Sequence, residues 1–142
     1  MSSVLEILQY KGSTVHTTRE DTPLMQALAD MSAHEVEGLI VLDGTALVGI
    51  VTSNDYLRKV IGGGLDLVSL KVGDVMTRHV STVGPEVTAS QCVAMMSKGR
   101  FRHLPVVDKG EVIGVVTMVD IMRFNADRGA RVAELDAVPD VD

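Results

Sequence analysis

Two short stretches carry the residue types that can do chemistry. GIVTSNDYLRKV spans residues 49–60 and GVVTMVDIMRF spans 114–124. In each, an apolar run ends in a threonine and an aspartate follows at the third position: Thr52 and Asp55, then Thr117 and Asp120. A hydroxyl followed three residues later by a carboxylate has the form of a capping box, in which each side chain satisfies an orphan backbone N–H at a helix start. The same turn can also present its hydroxyl and carboxylate to a ligand. Spacing alone leaves both uses open.

The remaining reactive groups are less ordered. Arg100, Arg102 and His103 cluster ahead of the second turn, where the first has Glu35, Glu37 and Gly38. Arginine suits bidentate contact with phosphate, so this cluster is the best candidate to hold an anionic tail; the alternative is a solvated basic edge. Arg58-Lys59 and Arg123 follow the turns and read as solvated helix faces. His16, His34, His79 and His103 show no metal-ligand spacing. The single cysteine, Cys92, excludes an internal disulfide and a Cys-rich zinc site; its apolar helical setting marks a core residue. Gly62-Gly63-Gly64 lacks the Lys-Ser/Thr of a P-loop and reads as a helix stop and hinge. No nucleophile motif is present, so the chain reads as non-enzymatic.

The elements that position the two turns repeat. At an offset of 65 positions, the separation of Thr52 from Thr117, the halves align without a gap: Gly49 with Gly114, Arg58 with Arg123, Leu39 with Leu104, Val41 with Val106, Met31-Ser32 with Met96-Ser97. Each half runs in the same order. A short extended piece comes first, STVHT at 13–17 and HVSTV at 79–83. An amphipathic helix follows, with Leu24, Leu28 and Met31 on one face in the first copy and Ala89, Val93 and Met96 in the second. In the first copy Pro23 is expected just inside the helix, behind Thr22 as cap. Then come two apolar runs around Asp43-Gly44, or around Asp108-Lys109-Gly110, which read as hairpins. A helix closes each half, at about 54–61 and 118–127. The expected division is repeat 1 at 1–64, a linker at 65–76, repeat 2 at 77–128 and an acidic, flexible tail at 129–142.

Composition bounds the function. Apolar residues are 46% of 142, enough for a core without staples. Aromatics are only 3% and Trp is absent, so that core is aliphatic, with eight Met as adaptable filler. A net charge of −6 argues against nucleic acid as a partner. No signal-peptide pattern or membrane-spanning run occurs, and a cytoplasmic protein is expected.

The two turns, with RHLPVVDKG and DVMTRHVSTV, resemble the landmarks of CBS (cystathionine-β-synthase) domains, over about 5–125. The chain is similar to small stand-alone bacterial CBS pairs, or Bateman modules. The resemblance implies an α/β fold of two tandem β-α-β-β-α repeats packed about a pseudo-twofold axis, and a homodimer. It implies clefts for adenosine nucleotides (AMP, ADP, ATP or NAD(H)) as regulatory ligands, with no required cofactor and an unidentified protein partner that reads the change. Carried over, the ribose residues are Thr52 and Asp55 at one site and Thr117 and Asp120 at the other. The adenine walls are Val15, His16, Leu39 and Ile40, and in the copy Val80, Ser81, Leu104 and Pro105, with Arg102 and His103 nearby for phosphate. A carboxylate accepts two hydrogen bonds at once, as a vicinal diol requires, and a helix N-terminus attracts phosphate. Relatives often carry Glu-Arg between Thr and Asp where this chain has Ser53-Asn54, and often a Gly where it has Met118-Val119. The alternative expectation is a structural dimerisation module with empty clefts.

Overall fold

The computed structural model describes residues 2–136, with side chains through residue 129. In chain order the elements are α1 (Val4–Lys11), β1 (Thr17–Thr18), α2 (Leu24–His34), β2 (Gly38–Asp43), β3 (Ala46–Thr52) and α3 (Ser53–Asp55). A π-helical stretch (Tyr56–Ile61), a 3-10 turn (Leu67–Ser69) and α4 (Val72–Val75) follow. Then come α5 (Ala89–Gly99), β4 (His103–Asp108), β5 (Glu111–Thr117) and α6 (Met118–Asp136). The chain forms two units. Of the described residues, one unit comprises 14–81 with 109–112 and holds the first repeat; the other comprises 2–13, 82–108 and 113–136 and holds the second.

In the first-repeat unit β1 pairs parallel with β2, and β2 antiparallel with β3, giving the order β1-β2-β3. The hairpin turns through Gly44 at φ 63°, a left-handed position that suits glycine. A register shift falls between Val41 and Leu42. Leu24, Ala27 and Met31 of α2 pack on Leu39, Val41 and Val51 of the sheet, an apolar stripe at helical spacing against the inner face of a sheet. The cap expected of Thr22 is absent: Pro23 is itself the N-cap, at ψ 134°, and makes no side-chain cap bond. Its carbonyl accepts from the N–H groups of Gln26 and Ala27 instead.

The helix expected over 54–61 starts as α3 and then widens into the π turn. Gly62 N–H donates to the Leu57 carbonyl, five residues back. A Cβ on Gly62 would stand 2.6 Å from the Arg58 carbonyl oxygen, and one on Gly63 2.3 Å from that of Lys59. The glycine run is therefore what lets the wide turn close.

In the second-repeat unit β4 and β5 form a two-stranded sheet. The hairpin turns through Lys109 and Gly110, both at positive φ, as a type I′ turn requires. The extended piece expected over 79–83 is reduced to one bridge, Val83 to Val106. Proline explains the loss. In the first repeat Ile40 N–H donates to the His16 carbonyl at 3.0 Å. The equivalent residue is Pro105, which has no N–H to give. α5 starts from a capping box between Thr88 and Gln91 and buries Ala89, Cys92 and Met96 against Leu104, Val106, Val116 and Ile121.

Residues 65–76, expected to be a plain linker, are ordered and supply Val72, Val75 and Met76 to the first-repeat core. The N-terminal segment forms α1, which sequence patterning did not single out, and supplies Val4, Ile7 and Leu8 to the second-repeat core. These two lead-in segments match at an offset of 68 positions, the separation of Val4 from Val72. Each precedes one repeat and packs on the other. Leu24 N–H donates to the Leu70 carbonyl and Ala89 N–H to that of Ser2, both at 2.9 Å; Val72 N–H donates to Thr22 and Val4 N–H to Val87. The bridges Pro23 to Lys71 and Ser3 to Thr88 repeat the same correspondence. At the C-terminal end α6 continues through Asp136; the expectation for 137–142 lies outside the described residues.

The motif glycines sit beneath these segments. A Cβ on Gly49 would come within 2.7 Å of the Thr77 carbonyl oxygen, whereas one on Gly114 would meet the Leu8 side chain, its methyls at 2.7 and 2.8 Å and its Cγ at 3.3 Å. Backbone cannot give way as a leucine tip can. Gly49→Ala is therefore expected to cost about 1–3 kcal/mol and Gly114→Ala clearly less. Urea unfolding of the two variants checks this, and equal losses would refute it.

Candidate functional site

The turn after β3 places Thr52 in extended backbone and Asp55 at the third helical position. Asp55 N–H donates to Thr52 Oγ1 at 3.2 Å, and Thr52 N–H donates to Asp55 Oδ2 at 2.9 Å. Thr52 Oγ1 also donates to Asp55 Oδ2 at 3.2 Å. The capping box of the sequence is thus formed in full. Lys59, one helical turn on, brings its Nζ to 3.1 Å from Asp55 Oδ1 and donates to the Val75 carbonyl at 2.6 Å. Both carboxylate oxygens of Asp55 are engaged, and its side chain is only 11% exposed.

The turn after β5 repeats the geometry. Asp120 N–H donates to Thr117 Oγ1 at 3.1 Å and Thr117 N–H to Asp120 Oδ2 at 2.9 Å. A lysine again meets the carboxylate, from a different element. Lys11, in the last turn of α1, places Nζ 2.6 Å from Asp120 Oδ2 and donates to the Val115 carbonyl at 2.6 Å. Here the ammonium and the Thr117 N–H converge on one oxygen, and the side chain is 17% exposed. Each turn therefore presents a hydroxyl, a fixed carboxylate and an ammonium. The carboxylate and hydroxyl can accept from a diol, and the ammonium can donate to an ether, carboxylate or phosphate oxygen.

The expected site residues include neither lysine. Lys59 is legible in hindsight, because a Lys four residues after a carboxylate on a helix is a standard pair. Lys11 carries no such signal, since only the packing of α1 brings it to Asp120.

The structure places Thr52, Asp55, Val15, His16, Leu39 and Ile40 in the first-repeat unit, with Val80 and Ser81. Thr117, Asp120, Arg102, His103, Leu104 and Pro105 lie in the second-repeat unit. Leu39 and Leu104 turn their side chains into the cores, so their strand positions offer a ligand backbone rather than side chain. Val15 and His16 are half-buried, and His16 stacks on His34 at 4.2 Å between ring centroids. Val80 is half-buried and Ser81 exposed. The backbone on the strand side is tied to each turn by an equivalent bond. Ser53 N–H donates to the Glu37 carbonyl at 2.9 Å, and Met118 N–H to the Arg102 carbonyl at 3.1 Å. Arg102 is exposed and His103 half-buried.

Cys92 is fully buried, and burial pushes its thiol pKa up, away from the reactive thiolate. Among the described residues no group of three or more His, Cys, Asp or Glu side chains is placed to hold a metal. No described helix is long and apolar enough to cross a membrane.

Comparison with known proteins identifies the family and the fold. The CBS domain family model matches residues 12–62 and 72–127. The CBS domain-containing protein CBSX3, mitochondrial, of Arabidopsis thaliana is 38% identical over 117 residues, covering 79% of this chain and 56% of the relative. The chain thus spans about half the length of that protein, and about a fifth of several other relatives. Among solved structures, the CBS domain protein NE2398 superposes with a TM-score of 0.84 at 34% identity, covering 88% of this chain and 98% of the other. The CBS domain pair of protein MJ0100, in complex with 5′-methylthioadenosine and S-adenosyl-L-methionine, superposes with a TM-score of 0.79 at 27% identity, covering 90% of this chain and 98% of the other. With the family model matched over both repeats and the fold shared along nearly the whole chain, the chain belongs to the CBS domain family, as a tandem pair of α/β repeats.

Proposed function

We propose that this chain is a regulatory, non-catalytic module that binds adenosine-type ligands at its two Thr-x-x-Asp turns and reports their presence to a protein partner. AMP, ADP, ATP and NAD(H) are the candidate ligands, which makes it a sensor of energy or redox state. The observation that carries the reading is the duplication of the turn with its chemistry intact. Two carboxylates, in separate repeats, are each held by a threonine cap and faced by a lysine, Lys59 from the same motif helix at the first turn and Lys11 from α1 at the second. A cap alone requires no ammonium. Support also comes from the related pair that binds two adenosine compounds. A ligand that prefers one arrangement of the repeats shifts the population toward it, and a partner reads the shift.

The module is further proposed to act as a homodimer. Leu57 and Met122 occupy equivalent positions on the two motif helices and are 58% and 62% exposed, with Ile61 beside the first at 61%. Apolar side chains repeated in this way favour a covering partner.

One observation favours the rival reading, a structural module with empty sites: Asp55 is already satisfied on both oxygens by the fold itself. Thermal denaturation separates the two. A ligand at ~100 times its dissociation constant adds about 2.7 kcal/mol of stability. A clear rise in melting temperature with at least one of AMP, ADP, ATP, NAD, NADH or adenosine is expected. No rise with any of them at millimolar concentration would leave the structural module as the better account.

A further inference from the structure

The two turns are alike in backbone and opposite in the charge beside them. α2 ends in a left-handed residue, Glu35 at φ 55°, and α5 in its equivalent, Arg100 at φ 58°. Two residues on, Glu37 gives its carbonyl to the N–H of Ser53, and Arg102 gives its carbonyl to that of Met118. These bonds hold each charged residue within one strand position of its turn, and both side chains are exposed. The other local charges balance. Each aspartate is paired with a lysine, Asp55 with Lys59 and Asp120 with Lys11. Arg58 and Arg123 are equivalent residues of the two motif helices. What differs is two carboxylates at the first turn against two guanidinium groups at the second, and Lys98 adds to the second where the first has Ala33. Groups this close to a bound ligand lie inside the screening length of about 8 Å at physiological salt, so the contrast is felt by any charged ligand.

We propose that the Thr117–Asp120 turn selects a phosphorylated nucleoside and the Thr52–Asp55 turn an uncharged or cationic one. The proposal rests on the reading that the turns bind adenosine-type ligands, and adds which charge each accepts. The guanidinium groups of Arg100 and Arg102 supply the fork that phosphate oxygens accept from. The carboxylates of Glu35 and Glu37 repel a phosphate and leave a neutral nucleoside untouched.

Calorimetric titration with AMP and with adenosine tests this on the full chain and on four variants. Arg102→Glu and Glu37→Arg change exposed side chains, while Asp55→Asn and Asp120→Asn retain the shape of the caps. AMP binding is expected to disappear in Asp120→Asn and persist in Asp55→Asn. Arg102→Glu is expected to weaken AMP about tenfold and leave adenosine unchanged. Glu37→Arg is expected to admit a second equivalent of AMP. AMP affinity indifferent to Arg102→Glu, or AMP binding that vanishes in Asp55→Asn rather than Asp120→Asn, would overturn the charge assignment while leaving ligand binding standing. Failure of both AMP and adenosine to bind the unaltered chain at millimolar concentration would overturn the underlying reading, and the assignment with it.

Discussion

Ile7→Ala is expected to destabilise the second-repeat unit by about 2–5 kcal/mol, the usual cost of emptying a filled aliphatic site. Ile7 lies on α1, well outside the repeat it supports. It is fully buried among Leu104, Val106, Val116 and Ile121. Its neighbours Val4 and Leu8 are buried with it, so α1 is a wall of that core rather than an appendage. Leu5, on the same helix, is 43% exposed, and its replacement by alanine is expected to change stability by no more than about 0.5 kcal/mol. Denaturant unfolding of both variants measures the contrast. An Ile7→Ala loss as small as that of Leu5→Ala would mean that α1 does not close the second repeat.

The second large effect concerns the aspartates, where capping and binding share one geometry. Asp55→Ala and Asp120→Ala each remove a capping-box partner, which costs about 1 kcal/mol. If capping were the whole role, the ligand response would survive once corrected for that loss. The proposed function predicts more: Asp120→Ala loses its equivalent of bound AMP, Asp55→Ala its equivalent of bound adenosine, and the double variant loses both. Lys59 and Lys11 sharpen the test. Each ammonium is held by the same carboxylate and by a backbone carbonyl, Val75 or Val115, so removing the carboxylate leaves the lysine in place while the diol acceptor is gone. Stoichiometry from titration, read beside the melting curve, separates the two roles. Undiminished stoichiometry in either variant would reduce that aspartate to a cap.

Much of this architecture was written in local pattern. The ungapped offset of 65 exposed the duplication, the helical stripes Leu24–Met31 and Ala89–Met96 marked the core faces, and Thr-x-x-Asp marked the turns. What escaped depends on partners distant in sequence. The lead-in segments obey an offset of 68 rather than 65, so the repeat alignment does not reach them. Lys11 meets Asp120 only because α1 packs beside β5 and α6. Pro105 was read as an adenine wall, yet its larger effect is on the ladder: without an N–H, the strand expected over 79–83 contracts to one bridge. The π turn at Tyr56–Ile61 follows from Gly62 and Gly63, whose bare backbones approach carbonyls that any Cβ would strike.

The repeats and their caps account for the fold; the lysines and the opposed charges are what the proposed binding at the two turns rests on. The most direct measurement is a calorimetric titration of AMP and adenosine into the unaltered chain and into Asp55→Asn/Asp120→Asn, side by side. Saturable binding to the first and none to the second, with both proteins folded, is the expected result. Equal binding to both, or binding to neither, would contradict the assignment of the Thr-x-x-Asp turns as adenosine-ligand sites.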